Sequence, residues 1–236
     1  EILINGEYQG LRLIQNKIEK NYLALDSDDI LLKGKNVNLG TQKPPEEVYE
    51  VIYSEQEEEV TYEIMNDFFY ETDFSKVDLE SWVDLQLFLL LGNMRDNEAY
   101  KNIYYVIQKD GQKGQLGFVP WDTDMSFGIY WADGFKLLPE TVETVTYRNE
   151  YKELIAQYPQ INNMMAERWK ELRKSVFSDE NIFGKIDSYD CELTFSGALH
   201  RDYNVLGWNS WGGEDTLDSL KIYIQRRLEI LDELFK

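Results

Sequence analysis

Four oxygen-bearing side chains stand in two pairs near the middle of the sequence: Asp96 and Asn102, then Asp122 and Asp124. Two apolar runs, Ile103–Ile107 and Leu116–Val119, lie between the pairs and are joined by Lys109-Asp110-Gly111-Gln112. Apolar runs around such a turn predict a hairpin, which brings the two pairs side by side. Carboxylates and amides that converge in this way suit a hard divalent cation such as Mg²⁺ and the phosphates it binds. A carboxylate beside that cation can also accept a proton from an attacking hydroxyl, which typically accelerates a reaction ~10²–10⁴-fold. Asp96 is the candidate base, and Asn102, Asp122 and Asp124 are the candidate metal ligands. Spacing alone does not separate Asp122 from Asp124; Asp122 is preferred because it is nearer the strand end. Taken singly, Asp-Asn and Trp-Asp pairs are common turn and cap residues, so the weight rests on the four together.

The elements that must hold these groups are legible on both sides. Asp78 precedes Leu79, Trp82, Val83, Leu85, Phe88 and Leu89, an N-cap followed by a helix apolar enough to be buried on most sides. Gly92 is a suitable C-cap, so the helix delivers the chain to Asp96. A loop launched from a rigid buried helix is a good place for groups that must be held accurately. After Gly128 an irregular, aromatic-bearing segment runs to about Tyr151 and is expected to face a substrate.

The order Asp96, Asn102, hairpin, Asp122 or Asp124, then Ser126-Phe127-Gly128 is similar to the catalytic segment of a protein kinase. There an Asp takes the hydroxyl proton, an Asn binds metal, and an Asp beyond a short hairpin holds Mg²⁺. Two other stretches are decoys. His200-Arg201-Asp202 spells a kinase triplet, but Gly207 stands where the Asn belongs, and His200 reads as a surface or capping residue. Gly111, Gly114 and Gly117 imitate a phosphate loop but fall in and just after the hairpin turn, with no helix start behind them.

Composition limits the partners. The chain has 236 residues, 43% of them hydrophobic and 14% aromatic, enough for one large domain or two modest lobes sharing a core. The formal net charge of −20 argues against nucleic acid and for cationic partners, a basic protein or a divalent metal. Leu85–Leu91 is too short to cross a membrane, so no membrane span is expected. Cys191 is the single cysteine, which excludes an internal disulfide and a thiolate metal cluster. The chain opens on EILING, without Met or a signal peptide and inside an apparent strand, so it is expected to be processed or to be a fragment.

Along the rest of the chain, Ile2–Ile4 and Glu7–Ile14 flank Asn5-Gly6, the strongest hairpin signal present. Leu31–Gly34 reads as a short strand, residues 34–48 as a loop, and Pro44-Pro45 as the start of a helix. Glu55 and Glu57–Glu59 lead a helix toward Ile64, Met65, Phe68 and Phe69, its acids solvated and favourable to the macrodipole. Helices are expected at about 150–158, at 160–176 with Met164, Met165, Trp169 and Leu172 inward, and once or twice within 179–203. Asp215 to Asp218 cap a last helix whose inner stripe is Leu220, Tyr223, Ile224, Arg227, Leu228, Leu231 and Leu234. The fold class is α+β: a short β part in front, a helical body behind, and one hairpin embedded in that body. The chain is divided as one domain, 1–236, with residues 1–34 as front-lobe remnant and hinge and 35–236 as the helical lobe.

LINGEYQGLRLIQNKI, DILLKG, DNEAYKN, VPWDTDMSFG and LKIYIQRRLEIL together resemble, in order and over nearly the whole chain, the spore-coat protein H (CotH) kinase family. The resemblance implies a reduced kinase-like fold and an atypical protein kinase. Such an enzyme moves phosphate from ATP, with Mg²⁺ or Mn²⁺, to Ser-rich and often basic proteins of the spore coat or cell surface. It implies Asp96 as catalytic, Asn102 and Asp122 as metal-binding and Asp124 as supporting them. Near the hinge the family has a Glu before Lys17 where this chain has Asn16. The family's front segment, with an RGNSS-like and a paired-lysine stretch, has no counterpart here, so Asn16, Lys17 and Lys33 are the nucleotide-binding candidates. The alternative is an inactive nucleotide-binding relative, or a surface-binding or structural coat module.

Overall fold

The computed structural model describes residues 1–35, 45–69, 74–94, 96–97, 102–110, 113–129, 138–141, 156–206 and 217–236. The elements run β1 (Leu3–Ile4), β2 (Glu7–Tyr8), α1 (Lys20–Leu23), β3 (Ile30–Gly34), α2 (Pro45–Val48), β4 (Tyr49–Tyr53) and α3 (Glu58–Phe69). They continue through α4 (Leu79–Gly92), β5 (Ile103–Asp110), β6 (Lys113–Pro120), α5 (Ile161–Arg173), α6 (Asp179–Phe195), α7 (Ala198–Leu206) and α8 (Leu217–Leu234). The mixed α+β class expected from the sequence is what folds.

Helix α4 is the axis of the molecule. Asp78 caps it as expected, its carboxylate accepting from the backbone N–H groups of Glu80 and Ser81, both at 3.1 Å. Leu85 and Leu89 face the sheet, where they pack with Ile30, Leu32, Ile103, Tyr105, Ile107 and Leu116. Trp82, Val83, Leu87, Leu90 and Leu91 face the other way, against Met165 and Trp169 of α5 and Ile224, Leu228 and Leu231 of α8. A helix with apolar residues on every side is stable only between two layers, and here a sheet and a helical layer supply them. Fully burying one such side chain is worth ~1.5–3 kcal/mol. The helix ends one residue later than the sequence suggests: Gly92 is its last residue and Asn93 (φ 50°) is the left-handed cap. Asn tolerates that conformation because its short polar side chain can bond locally.

The embedded hairpin is part of a larger antiparallel sheet ordered β4-β3-β5-β6. Strands β5 and β6 pair in unbroken register from Ile103↔Pro120 to Asp110↔Lys113, extending both expected strands. Gly114 and Gly117 are residues of β6 opposite Lys109 and Val106, which removes them from any phosphate loop; Gly111 lies outside the described residues. Strand β3 pairs with β5 (Leu31↔Val106, Lys33↔Tyr104) and with β4, a strand the sequence did not announce.

At the front, Asn5 (φ 53°) and Gly6 (φ 84°) make the expected turn. The second strand, however, ends at Tyr8 rather than Ile14. Backbone bonds carry the pairing only as far as Gly10 (φ 91°), and Leu13 and Ile14 are left in solvent. The 179–203 region forms two helices, and α8 buries Ile224, Arg227, Leu228 and Leu231 of its expected stripe, whereas Leu234 is exposed. Asp215 and most of the helix expected at 150–158 lie outside the described residues. No described helix is long and apolar enough to cross a membrane.

Candidate functional site

The site is built at the open end of the β5–β6 hairpin, where α4 hands over the chain. Past the Asn93 cap, Asp96 is half-buried and its carboxylate Oδ2 accepts from the Asn102 side-chain Nδ2 at 2.8 Å. The same amide nitrogen lies 3.3 Å from the Asp96 carbonyl oxygen. An amide that gives its N–H to a carboxylate presents its oxygen elsewhere, and no described residue donates to the Asn102 Oδ1. Asp96 and Asn102 are therefore brought together as the sequence predicts.

Asp122 stands just beyond the end of the other strand. The Trp121 N–H donates to the Asn102 carbonyl at 2.9 Å, one step beyond the Ile103↔Pro120 pair, so Asn102 and Asp122 bracket the hairpin's base. Both residues are left-handed, with φ of 56° and 53°. Asn and Asp are the non-glycine residues that adopt that conformation most readily.

The loop that follows is fastened at both ends. Trp121 packs edge-on against Tyr104, with ring centroids 5.8 Å apart. Phe127 sinks against the helical core, and its N–H donates to the Gly92 carbonyl at 2.6 Å. Between these anchors Asp122 and Asp124 are exposed. Further on, residues 138–141 are tied back to the frame. Asn93 Nδ2 donates to the Leu138 carbonyl (3.2 Å) and the Tyr223 hydroxyl (2.8 Å). The fully buried Arg227 donates to the carbonyls of Pro139 (2.7 Å), Thr141 (2.8 Å) and Leu90. Glu140, whose carboxyl is held below its usual range by a bond to its own backbone and by Arg226, completes that anchor.

Of the three nucleotide-binding candidates, Lys33 is the one on a strand of the sheet that contains the hairpin. It sits opposite Tyr104 in the β3–β5 register, half-buried, with its ammonium 5.7 Å from the Tyr104 ring centre. Burial, and then the Glu50 carboxylate, push the Tyr104 phenol above its ordinary range. Tyr104 therefore stays neutral, an apolar wall with a polar tip. Lys17 is 78% exposed and pairs with Glu19 at 3.5 Å, and Asn16 is also exposed. No described contact joins Asn16 or Lys17 to Asp96, Asn102 or Asp122. The chain does turn inward at once after them, because Ile18 is buried in the cluster that contains Leu31, Tyr104 and Val106, with Trp121 packed against it.

Among the described residues, no three His, Cys, Asp or Glu side chains form a cage for a metal ion. The donor set here is different: one amide oxygen and two exposed carboxylates beside open solvent. Mg²⁺ is commonly bound by one or two protein carboxylates and completed by water and phosphate oxygens rather than caged by protein. The residues present fit that chemistry.

Sequence reasoning missed Asn97. It is 0% exposed, and its side-chain nitrogen donates to the carbonyls of Asn102 (3.0 Å) and Trp121 (2.6 Å). Next to Asp96 it looks like half of a turn pair, and no periodicity marks it. The decoy triplet is also explained. Arg201 forms a two-pronged ion pair with Glu1, and Asp202 accepts from the Leu11 N–H at 2.7 Å, so both hold the front segment to α7. His200 is exposed beside Asn204.

Compared with known proteins, residues 1–231 match a family model described as CotH kinase protein. No curated protein and no solved structure matches the chain.

Proposed function

Because the chain belongs to the CotH kinase family, we propose that it transfers the γ-phosphoryl group of ATP to a serine hydroxyl of a basic, Ser-rich protein, at the open end of the β5–β6 hairpin. The observation that carries this reading is the Asp96–Asn102 bond at 2.8 Å, made where Asp122 enters from the opposite strand. In the proposed step the substrate serine oxygen bonds to the γ-phosphorus as the bond to the β–γ bridging oxygen breaks. ADP leaves, and the serine proton passes to the Asp96 carboxylate. Asn102 holds that carboxylate in orientation through its amide nitrogen while its oxygen remains for a cation. Asn102 and Asp122, with Asp124 beside them, would hold Mg²⁺ or Mn²⁺. When bound, such an ion neutralises charge on the β- and γ-phosphates. Lys33 is the proposed partner of the α- and β-phosphates, and Asn16 and Lys17 border the nucleotide.

The net charge of −20 supports a cationic protein substrate and makes nucleic acid an unfavourable partner. A spore-coat or cell-surface setting is part of the same proposal. A second reading is nucleotide binding without transfer, which the solvent exposure of Lys17 and Asn16 favours.

One experiment separates them. Purified protein is incubated with radiolabelled ATP, Mg²⁺ and a basic Ser-rich protein, beside Asp96→Asn and Asp122→Ala variants. Transfer by the wild type that falls at least ~10²-fold in both variants is expected, since a positioned base alone contributes that much. Nucleotide binding with no transfer selects the second reading, and equal transfer by all three proteins overturns the first.

A further inference from the structure

We infer that Asn97 is a positioning residue that sets the separation of Asn102 and Asp122, and with it the affinity of their site for a divalent cation. The inference rests on the functional reading above and adds a residue to it. Among the described residues, no hydrogen bond joins the Asn97 side chain to those of Asn102 or Asp122; its bonds go to the backbone beside them. Its amide nitrogen donates to the carbonyl of Asn102 at 3.0 Å and to that of Trp121 at 2.6 Å.

The second carbonyl belongs to the peptide plane that leads into Asp122, so holding it constrains the φ of Asp122. The first belongs to the plane that leaves Asn102, so holding it constrains the ψ of Asn102. One buried NH₂ group thus controls the planes flanking both left-handed residues, Asn102 (φ 56°) and Asp122 (φ 53°). These are the two positions from which ligand side chains must leave the backbone in fixed directions.

Two further observations support a positioning role over plain packing. Both neighbours of the amide nitrogen are carbonyl acceptors, so the side-chain orientation is dictated rather than arbitrary. At the other end the amide oxygen is buried, and no described residue donates to it. Among the described residues, the bonds this side chain makes are therefore the two that its nitrogen gives to the hairpin's base. Asn102 Nδ2 also donates to Asp96 Oδ2 at 2.8 Å, so a shift of Asn102 would be passed on to the candidate base.

The test uses the whole chain and reads metal binding rather than activity. Thermal shift is titrated with Mn²⁺, and separately with Mg²⁺, at fixed concentration of a non-hydrolysable ATP analogue. The proteins compared are wild type, Asn97→Ala, Asn97→Ser and Asn97→Asp, with Leu231→Ala as a core variant on α8. Half-saturating metal is expected to rise at least tenfold in Asn97→Ala and Asn97→Asp. Asn97→Ser, which keeps one donor, should fall between these and wild type. Leu231→Ala should lower the melting temperature without moving half-saturation. Should Asn97→Ala not fold, the serine and aspartate variants carry the comparison. Half-saturation within twofold of wild type in the folded variants, whatever their melting temperatures, overturns the positioning role and leaves the functional reading standing. No metal-dependent nucleotide response in the wild type overturns both.

Discussion

Replacing Arg227 with methionine removes a buried guanidinium whose partners include three backbone carbonyls, those of Leu90, Pro139 and Thr141. Leu90 lies in the last turn of α4, and the other two lie in the segment beyond the Asp122–Gly128 loop. The substitution therefore loosens the join between the helix that launches the site and the chain that leaves it. Hydrogen bonds to a charged group are worth ~1.5–3 kcal/mol each, but three on one side chain do not add. Methionine fills much of the volume but donates nothing, so the buried Leu90 carbonyl and the half-buried carbonyls of Pro139 and Thr141 each lose a donor. Three bonds of that strength that do not fully add make a loss of ~3–5 kcal/mol. At ~2–4 °C per kcal/mol for a chain of this length, the melting temperature should fall by ~6–20 °C. Circular dichroism melts measure it directly. Arg227→Lys keeps the charge but not the planar fork, so it should lie between methionine and wild type. A fall of less than ~2 °C in Arg227→Met would refute the reasoning, because the guanidinium would then not be holding the segment.

Two other substitutions probe the site's surroundings. In Gly92→Ala the new Cβ would lie 2.8 Å from Cγ of the buried Met94, and the resulting ~1–3 kcal/mol of overpacking should outweigh the ~1 kcal/mol that alanine gains in a helix. Urea titration should show a net loss, and unchanged stability would mean that Met94 can move aside. Lys33→Met should weaken ATP-analogue binding in calorimetry about tenfold to a hundredfold, the equivalent of one charge-assisted bond of ~1.5–3 kcal/mol, while Lys17→Met stays within twofold. The reverse order would move the phosphate-binding role to the hinge segment.

Legibility divided along physical lines. Helix α4 was visible because its cap, its apolar face and its glycine are all local, and Asp78 does cap it. The hairpin was visible because its strands are contiguous and its turn lies between them. Strand β4 was not, because Tyr49–Tyr53 becomes a strand by pairing with β3, a partner distant in sequence, and its residues follow a proline-led helical start. The front hairpin was read too long for the opposite reason. Gly10 to Ile14 has strand-like composition, but no partner covers Leu13 and Ile14, and alternation in sequence cannot report a missing neighbour. At the candidate site, the nearness of Asp96 and Asn102 to each other and to the hairpin's base follows from local sequence. The role of Asn97 does not, since it lies in two backbone carbonyls and carbonyls leave no mark on a sequence.

The central claim is that a divalent cation and a nucleotide meet at Asn102 and Asp122, with Asp96 facing the transferred group. A crystal structure with Mn²⁺ and a non-hydrolysable ATP analogue, read through the manganese anomalous signal, tests it most directly. The predicted result is a manganese peak within about 2–2.5 Å of the Asn102 amide oxygen and an Asp122 carboxylate oxygen, a distance typical of hard cations on oxygen ligands. The γ-phosphate should lie on the Asp96 side of that peak. Manganese and nucleotide bound away from the hairpin base, or nucleotide bound there with no metal on either residue, would contradict it.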